Sequence, residues 1–121
     1  RLHGLAGVTY WDSVADATLP QTQEWLQCEG DMDRIYFNVE SDLQMSGWAT
    51  AKQQGREVLI QKKGFEDVVV WNPGAGKCAA LPDMPPQGYT QMLCVEAARI
   101  GNPVQLAAGA RWTGWQKLSV G

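Results

Sequence analysis

The 121-residue chain has the composition of one small globular domain. Hydrophobic residues make up 45% of it and charged residues 19%, which is enough apolar material for one core and argues against disorder. Its net charge is -3, from 10 Lys and Arg against 13 Asp and Glu, so it offers no basic surface to nucleic acid or anionic lipid. We therefore predict a single domain over residues 1–121, with neither nucleic acid nor a membrane as its partner.

The sequence carries no visible targeting or membrane signal. Its uncharged stretches, such as residues 68–76, are far shorter than the roughly 20 apolar residues that cross a bilayer. Cys28, Cys78 and Cys94 cannot all pair, and their spacing matches neither a zinc site nor a redox motif. We predict reduced, buried thiols in a cytoplasmic protein. Because the chain begins at Arg1 rather than Met, we also expect it to be part of a longer protein.

Glycine and proline recur at short intervals, and the runs between them are rich in Val, Ile, Tyr, Trp and Thr, which is typical of strands. No window shows a convincing helical stripe, so we predict an all-β fold, an antiparallel β-sandwich. A loop is predicted at residues 81–88, where three prolines fall. The predicted strands are residues 4–11, 24–28, 33–39, 48–52, 57–62, 67–71, 91–98 and 111–120.

Two features that suggest a ligand site do not satisfy the requirements of one. The Gly-Ala-Gly-Lys segment at residues 74–77 resembles a phosphate-binding loop, but Trp71 stands where that motif needs glycine and Cys78 where it needs Ser or Thr. We predict turn glycines there. His3 is the only histidine, which excludes a multi-histidine metal site, and we expect an exposed terminal residue without a role. The sequence predicts no metal and no cofactor.

The carboxylates are more informative. Glu96 interrupts the apolar run at residues 92–98, where a charge without partners would be costly. It lies either on the solvated face of a sheet or in a pocket that tunes its pKa for proton transfer. Asp33 and Arg34 begin another predicted strand and, taken alone, suggest a turn acid and a solvated base. The tryptophans suit packing against sugar rings, although we expect core packing for most of them; they are Trp11, Trp25, Trp48, Trp71, Trp112 and Trp115.

Five short motifs follow one another along the chain. They are Gly-Leu-Ala-Gly-Val-Thr-Tyr-Trp-Asp at 4–12, Asp-Arg-Ile-Tyr at 33–36, Val-Val-Trp-Asn-Pro-Gly at 69–74, Asp-Met-Pro with Gly-Tyr at 83–89, and Leu-Cys-Val-Glu at 93–96. In this order and spacing they resemble the bacterial hexose-6-phosphate mutarotases of the aldose-1-epimerase superfamily, over nearly the whole chain. The resemblance implies a galactose-mutarotase-like β-sandwich, of which this chain is the C-terminal portion and therefore only a part.

The resemblance also implies a function and site residues. Such enzymes interconvert the α and β anomers of a hexose 6-phosphate by general acid and base catalysis, with no metal or covalent intermediate. Glu96 corresponds to the base that takes the proton of the anomeric hydroxyl, while a histidine protonates the ring oxygen. Asp33 corresponds to a carboxylate that holds sugar hydroxyls, and Arg34 orients Asp33 or binds substrate. A purely structural network of Asp33 and Arg34 is an equal alternative.

The chain departs from the family pattern in one important respect. The family's catalytic histidine and its phosphate-binding arginines precede the Gly-Leu motif, so we expect this chain alone to lack both and to be inactive. A non-catalytic carbohydrate-binding module and a structural, oligomerising module are the alternatives. In either case, exposed strand edges are expected to pair with a missing N-terminal half or with a second copy of the chain.

Overall fold

The computed structural model describes residues 1–47 and 55–121, which form two antiparallel five-stranded sheets. This confirms the predicted all-β sandwich. None of the helices in the described ranges is long and apolar enough to span a membrane. The elements are β1 (Leu2–His3), β2 (Thr9–Asp12), β3 (Ala17–Pro20), β4 (Trp25–Leu26), β5 (Met32–Tyr36), β6 (Leu43–Ser46), β7 (Glu57–Lys63), β8 (Asp67–Asn72), α1 (Gly74–Ala80), a 3₁₀ helix (Gly88–Gln91), β9 (Cys94–Ala98) and β10 (Trp115–Val120).

The sheets pack face to face around one apolar core. Sheet A has the strand order β10-β7-β6-β1-β4, and sheet B has the order β3-β2-β5-β8-β9. Side chains alternate between the two faces of a strand, so every second residue of the inner strands enters the core. The buried core cluster contains Leu2, Leu5, Tyr10, Leu26, Met32, Tyr36, Val39, Leu43, Ile60, Val68 and Val70.

The strands predicted at 57–62 and 67–71 correspond closely to β7 and β8, whereas the strand predicted at 33–39 extends three residues beyond the end of β5 at Tyr36. The strands predicted at 24–28, 91–98 and 111–120 are shorter in the structure, because only β4, β9 and β10 within them form pairs. The strands β1, β3 and β6 were not predicted, because two to four residues are too few to show alternation. The strand predicted at 48–52 lies outside the described residues.

The strand predicted at residues 4–11 is wrong over its first half. Gly4 has a φ of 105° and Gly7 a φ of 80°, and the chain turns there before β2 begins at Thr9. A Cβ at Gly4 would lie 2.6 Å from the carbonyl oxygen of Asp42, so another side chain does not fit. The Gly-Leu-Ala-Gly segment therefore forms a turn, and β2 continues only from Thr9 to Asp12.

A helix occupies the position where only turn glycines were predicted. Helix α1 follows β8 directly and buries Cys78 completely. Its first residue, Gly74, has a φ of 68°, and a Cβ there would lie 2.7 Å from the backbone nitrogen of Asp31. Seven residues are too few to show an apolar stripe in the sequence, which explains the miss. The requirement for glycine at the turn itself was predicted correctly.

The three thiols are all free, but they differ in burial. Cys78 is buried, as predicted, whereas Cys28 and Cys94 are only half-buried. Burial raises the pKa of the Cys28 thiol, which favours its neutral form.

Candidate functional site on the outer face of sheet B

The predicted carboxylates Asp33 and Glu96 share one face of sheet B. Strand register aligns Ile35 with Val69 and Val69 with Glu96, and it aligns Asp33 with Trp71 and Trp71 with Cys94. Directly opposed residues in an antiparallel sheet project to the same side. We call this surface the outer face; its residues on the four strands are Thr9, Trp11, Asp33, Ile35, Asp67, Val69, Trp71, Cys94, Glu96 and Ala98.

Glu96 is exposed in the middle of β9, the edge strand of sheet B. The sequence left two alternatives for Glu96, the solvated face of a sheet or a pocket. The observed position corresponds to the solvated face. Its charge reaches Cys94, two residues earlier on the same face. Burial raises the pKa of the Cys94 thiol, and the negative charge of Glu96 raises it further. A carboxylate that stays solvated on one side can accept a proton from a ligand that approaches from that side.

Asp33 is half-buried on β5, two strands away from Glu96. With strands about 4.8 Å apart and a rise of about 3.4 Å per residue, the two Cα atoms lie about 12 Å apart. Val69 and Trp71 of β8 lie between them. The two carboxylates therefore flank an apolar and aromatic strip.

Arg34 does not share this face, which argues against the alternative of a structural network between Asp33 and Arg34. Successive strand residues point to opposite sides, and Arg34 lies on the side of buried Met32 and Tyr36. Its Nε donates to Oδ2 of Asp12 at 3.1 Å, and its guanidinium stacks over the ring of Tyr10 at 4.5 Å. Asp12 also accepts hydrogen bonds from the backbone of the turn that follows β2. This ion pair fastens β2 to β5 from the inner side.

The Tyr36 hydroxyl lies in the same inner network, and it gives the chain a testable pH dependence. Burial raises the pKa of Tyr36 to about 12, and its hydroxyl donates to Oε1 of Gln21 at 2.9 Å. The folded chain keeps this proton at pH values where the unfolded chain, with a tyrosine pKa near 10, has lost it. Stability from this group is therefore complete below about pH 10 and falls by about 2 kcal/mol towards pH 12.

Urea unfolding between pH 8 and pH 11.5 measures this loss. We expect Tyr36→Phe to be less stable at pH 8, because Gln21 loses its donor, but to lose less stability with rising pH. Equal slopes for the two proteins would contradict the assignment to Tyr36.

Two buried polar residues that sequence reasoning missed hold β9 at both ends. At the entry, Nδ2 of Asn72 donates to the carbonyl oxygens of Tyr89 and Met92 at 2.8 and 2.9 Å. At the exit, Oδ2 of Asp67 accepts hydrogen bonds from the amides of Ile100 and Gly101 at 2.7 and 2.8 Å.

Asp67 and Asn72 are the first and last residues of β8, the strand that pairs with β9. They determine where β9 enters and leaves the sheet, and they thereby position Glu96. The available signal was the Val-Val-Val-Trp run with a polar residue at each end.

The tryptophans do not form the core, contrary to the expectation for most of them. None of the five in the described ranges belongs to the buried cluster, and Trp48 lies outside those ranges. Trp11 is 36% exposed and Trp71 is half-buried, and both lie on the outer face. Exposed aromatic rings beside carboxylates provide an apolar surface with adjacent hydrogen-bond acceptors, which suits a sugar ring.

His3 lies in β1 on sheet A, between β4 and β6, and is not a loose terminal residue. Its Nε2 contacts Oε1 of Glu24 at 3.2 Å, and its ring packs on Trp25. It therefore belongs to the other sheet and does not reach Glu96. Among the described residues, no cluster of His, Cys, Asp and Glu could hold a metal ion.

A cavity of about 530 Å³ lies beside β6 and the start of β7. Its lining includes Arg1, Arg56 and Met92 but neither Asp33 nor Glu96. The two predicted carboxylates therefore lie on an open sheet face, outside this cavity.

Comparison with known proteins identifies the family. The family model described as aldose 1-epimerase matches residues 2–119. The chain belongs to the aldose 1-epimerase family. This confirms the resemblance found in its motifs, and the two antiparallel sheets agree with it.

Three curated relatives carry the name "Putative glucose-6-phosphate 1-epimerase". One from Cenchrus ciliaris is 29% identical over 120 residues, which are 98% of this chain and 35% of the relative. One from Escherichia coli K12 is 30% identical over 93 residues, which are 76% of this chain and 30% of the relative. One from Salmonella typhimurium is 31% identical over 106 residues, which are 87% of this chain and 34% of the relative. The chain thus spans about a third of the length of the curated relatives it matches.

Proposed function

We propose that this chain is the part of a hexose-6-phosphate mutarotase that carries the catalytic base. The observation that supports this most directly is that Glu96 and Asp33 share one sheet face, with Trp71 between their strands. Glu96 accepts the proton of the anomeric hydroxyl, Asp33 accepts hydrogen bonds from sugar hydroxyls, and the aromatic strip packs against the ring. Arg34 supports the sheet from its inner side and does not contact the sugar.

The reaction also needs a general acid. As Glu96 removes the hydroxyl proton, the ring oxygen must gain one for the ring to open, and the reverse transfers close the other anomer. His3 is the only histidine and lies on sheet A in contact with Glu24, so we propose that the acid is a histidine outside these 121 residues. From the family resemblance, we propose that the cations that bind the phosphate are also supplied by residues outside these 121. The chemistry itself requires no metal and no cofactor. We assign the protein to the cytoplasm, where its three free thiols stay reduced.

Exchange spectroscopy by NMR on the anomers of glucose 6-phosphate tests this proposal. The natural protein, produced from its complete reading frame, should accelerate exchange between the α and β resonances, whereas the 121 residues alone should not. A natural protein that binds the sugar phosphate without accelerating exchange would instead support the second candidate, a non-catalytic carbohydrate-binding module. That candidate is favoured by one observation, the position of His3 on the sheet away from Glu96.

A further inference from the structure

Strand β10 presents core-facing side chains that nothing in the described ranges covers. Register aligns Leu118 with Ile60 and Val120 with Val58 on β7, so these four side chains project to the same side of sheet A. Ile60 is only 4% exposed in the core, whereas Leu118 is 63% and Val120 is 65% exposed.

Gln116 confirms the direction of this face. Its side chain shares the face of Leu118 and Val120, and its Nε2 donates to the carbonyl oxygen of Val95 on sheet B at 3.0 Å. The face therefore points into the space between the sheets. Leu118 and Val120 have the orientation of core residues and the exposure of surface residues.

The four sheet edges differ in their capacity to accept another strand. In the described part of the chain, β4 has only two residues to offer a new strand, and β3 ends in Pro20, which cannot donate a backbone hydrogen bond. On β9, the carbonyl of Val95 already has Gln116 as a partner. Strand β10 is the longest edge, with six residues, and one of its sides is paired with β7. An edge that is long and carries exposed apolar side chains is a site for strand addition.

We infer that β10 is the junction at which the remainder of the aldose 1-epimerase domain joins these residues. The occupant is a polypeptide segment outside the 121 residues that adds a strand to the free edge of β10 and covers Leu118 and Val120. The curated relatives are about three times as long as the region they share with this chain. Their additional residues are enough to form a strand that covers β10. The inference rests on family membership and on the open core. It is independent of the roles proposed for Glu96 and Asp33.

The test compares Leu118→Ser and Val120→Ser with the matched control Val14→Ser in the natural protein. Val14 is 52% exposed in the turn after β2, which belongs to sheet B, whereas β10 is an edge of sheet A. If β10 is covered, each β10 variant lowers the melting temperature by at least about 5 °C, as loss of a buried aliphatic side chain does, while the control leaves it nearly unchanged. Equal, small effects for all three variants would overturn the inference.

Two further measurements keep the inference testable if a variant does not fold. Hydrogen exchange in the unmodified natural protein should show β10 amides protected as strongly as those of β7, whereas rapid exchange along β10 would overturn the inference. Light scattering identifies the occupant. A monomer with protected β10 amides supports coverage by the same polypeptide. A dimer that dissociates when Leu118 is replaced would show that a second copy covers the face, which overturns the proposed occupant.

Discussion

Replacing Glu96 with glutamine is expected to lower catalysed anomer exchange of glucose 6-phosphate by about 10²- to 10⁴-fold in the natural protein. Glutamine keeps the size of the side chain but cannot accept the hydroxyl proton. Because Glu96 is exposed and the neighbouring Cys94 and Val69 stay unchanged, the fold of β9 should be preserved. NMR exchange spectroscopy gives the rate, and urea unfolding checks that stability is unaltered.

Glu57→Gln is the matched control, since Glu57 is also an exposed strand glutamate but lies on sheet A. It should leave the exchange rate unchanged. Asp33→Asn should act differently from both, mainly by raising KM for the sugar phosphate, because the role proposed for Asp33 is to hold hydroxyls and not to transfer a proton. Undiminished exchange in the Glu96→Gln protein would remove this residue from the mechanism while leaving the family assignment intact.

Replacing Asp67 with alanine is expected to reduce the free energy of unfolding by about 3–5 kcal/mol. Asp67 is 2% exposed, and its carboxylate accepts hydrogen bonds from the backbone amides of Asn38, Ile100 and Gly101. The alanine variant leaves these amides without their acceptor, and unpaired polar groups in a poorly solvated place are costly. The exit of β9 is also released, so the natural protein should lose activity together with stability.

Urea unfolding at neutral pH measures this effect, and Asp83→Ala is the control. Asp83 is an exposed acid in the loop between α1 and the 3₁₀ helix, and its removal should change the stability by less than about 0.5 kcal/mol. If Asp67→Ala were as mild as this control, the hydrogen bonds at the exit of β9 would not be a main source of stability. The assignment of Asp67 as a residue that positions Glu96 would then be wrong.

The strands that could be predicted are those with enough residues to show a pattern. In β5, β7 and β8, runs of five to seven β-forming residues identify the strand without help from the rest of the molecule. In contrast, β1 consists of two residues whose strand character comes only from pairing with β4 and β6. Helix α1 shows the same limit, since its seven residues include two glycines and carry no helical stripe.

The sequence proposed the members of the candidate site but could not give their arrangement. Glu96 and Asp33 each lie within a short sequence motif, and these motifs also indicated the family. Arg34 was grouped with Asp33 because both belong to the Asp-Arg-Ile-Tyr motif, yet neighbouring residues of a strand lie on opposite faces. Once residues 33–39 are predicted to form a strand, the alternation of side chains between its two faces is enough to place Asp33 and Arg34 on opposite sides.

The sequence by itself determined that Glu96 lies in a strand, that the fold is built of antiparallel strands, and that the chain has the motifs of the aldose 1-epimerase family. These properties depend on the propensities and order of residues within one segment, so they can be recognised without knowing how distant segments pack together. Only the tertiary structure decided that Glu96 and Asp33 share a face, that Asp67 and Asn72 hold the ends of β9, and that β10 exposes a core-facing surface. Those properties depend on strand register between distant segments, which is set by the packing of the whole sandwich.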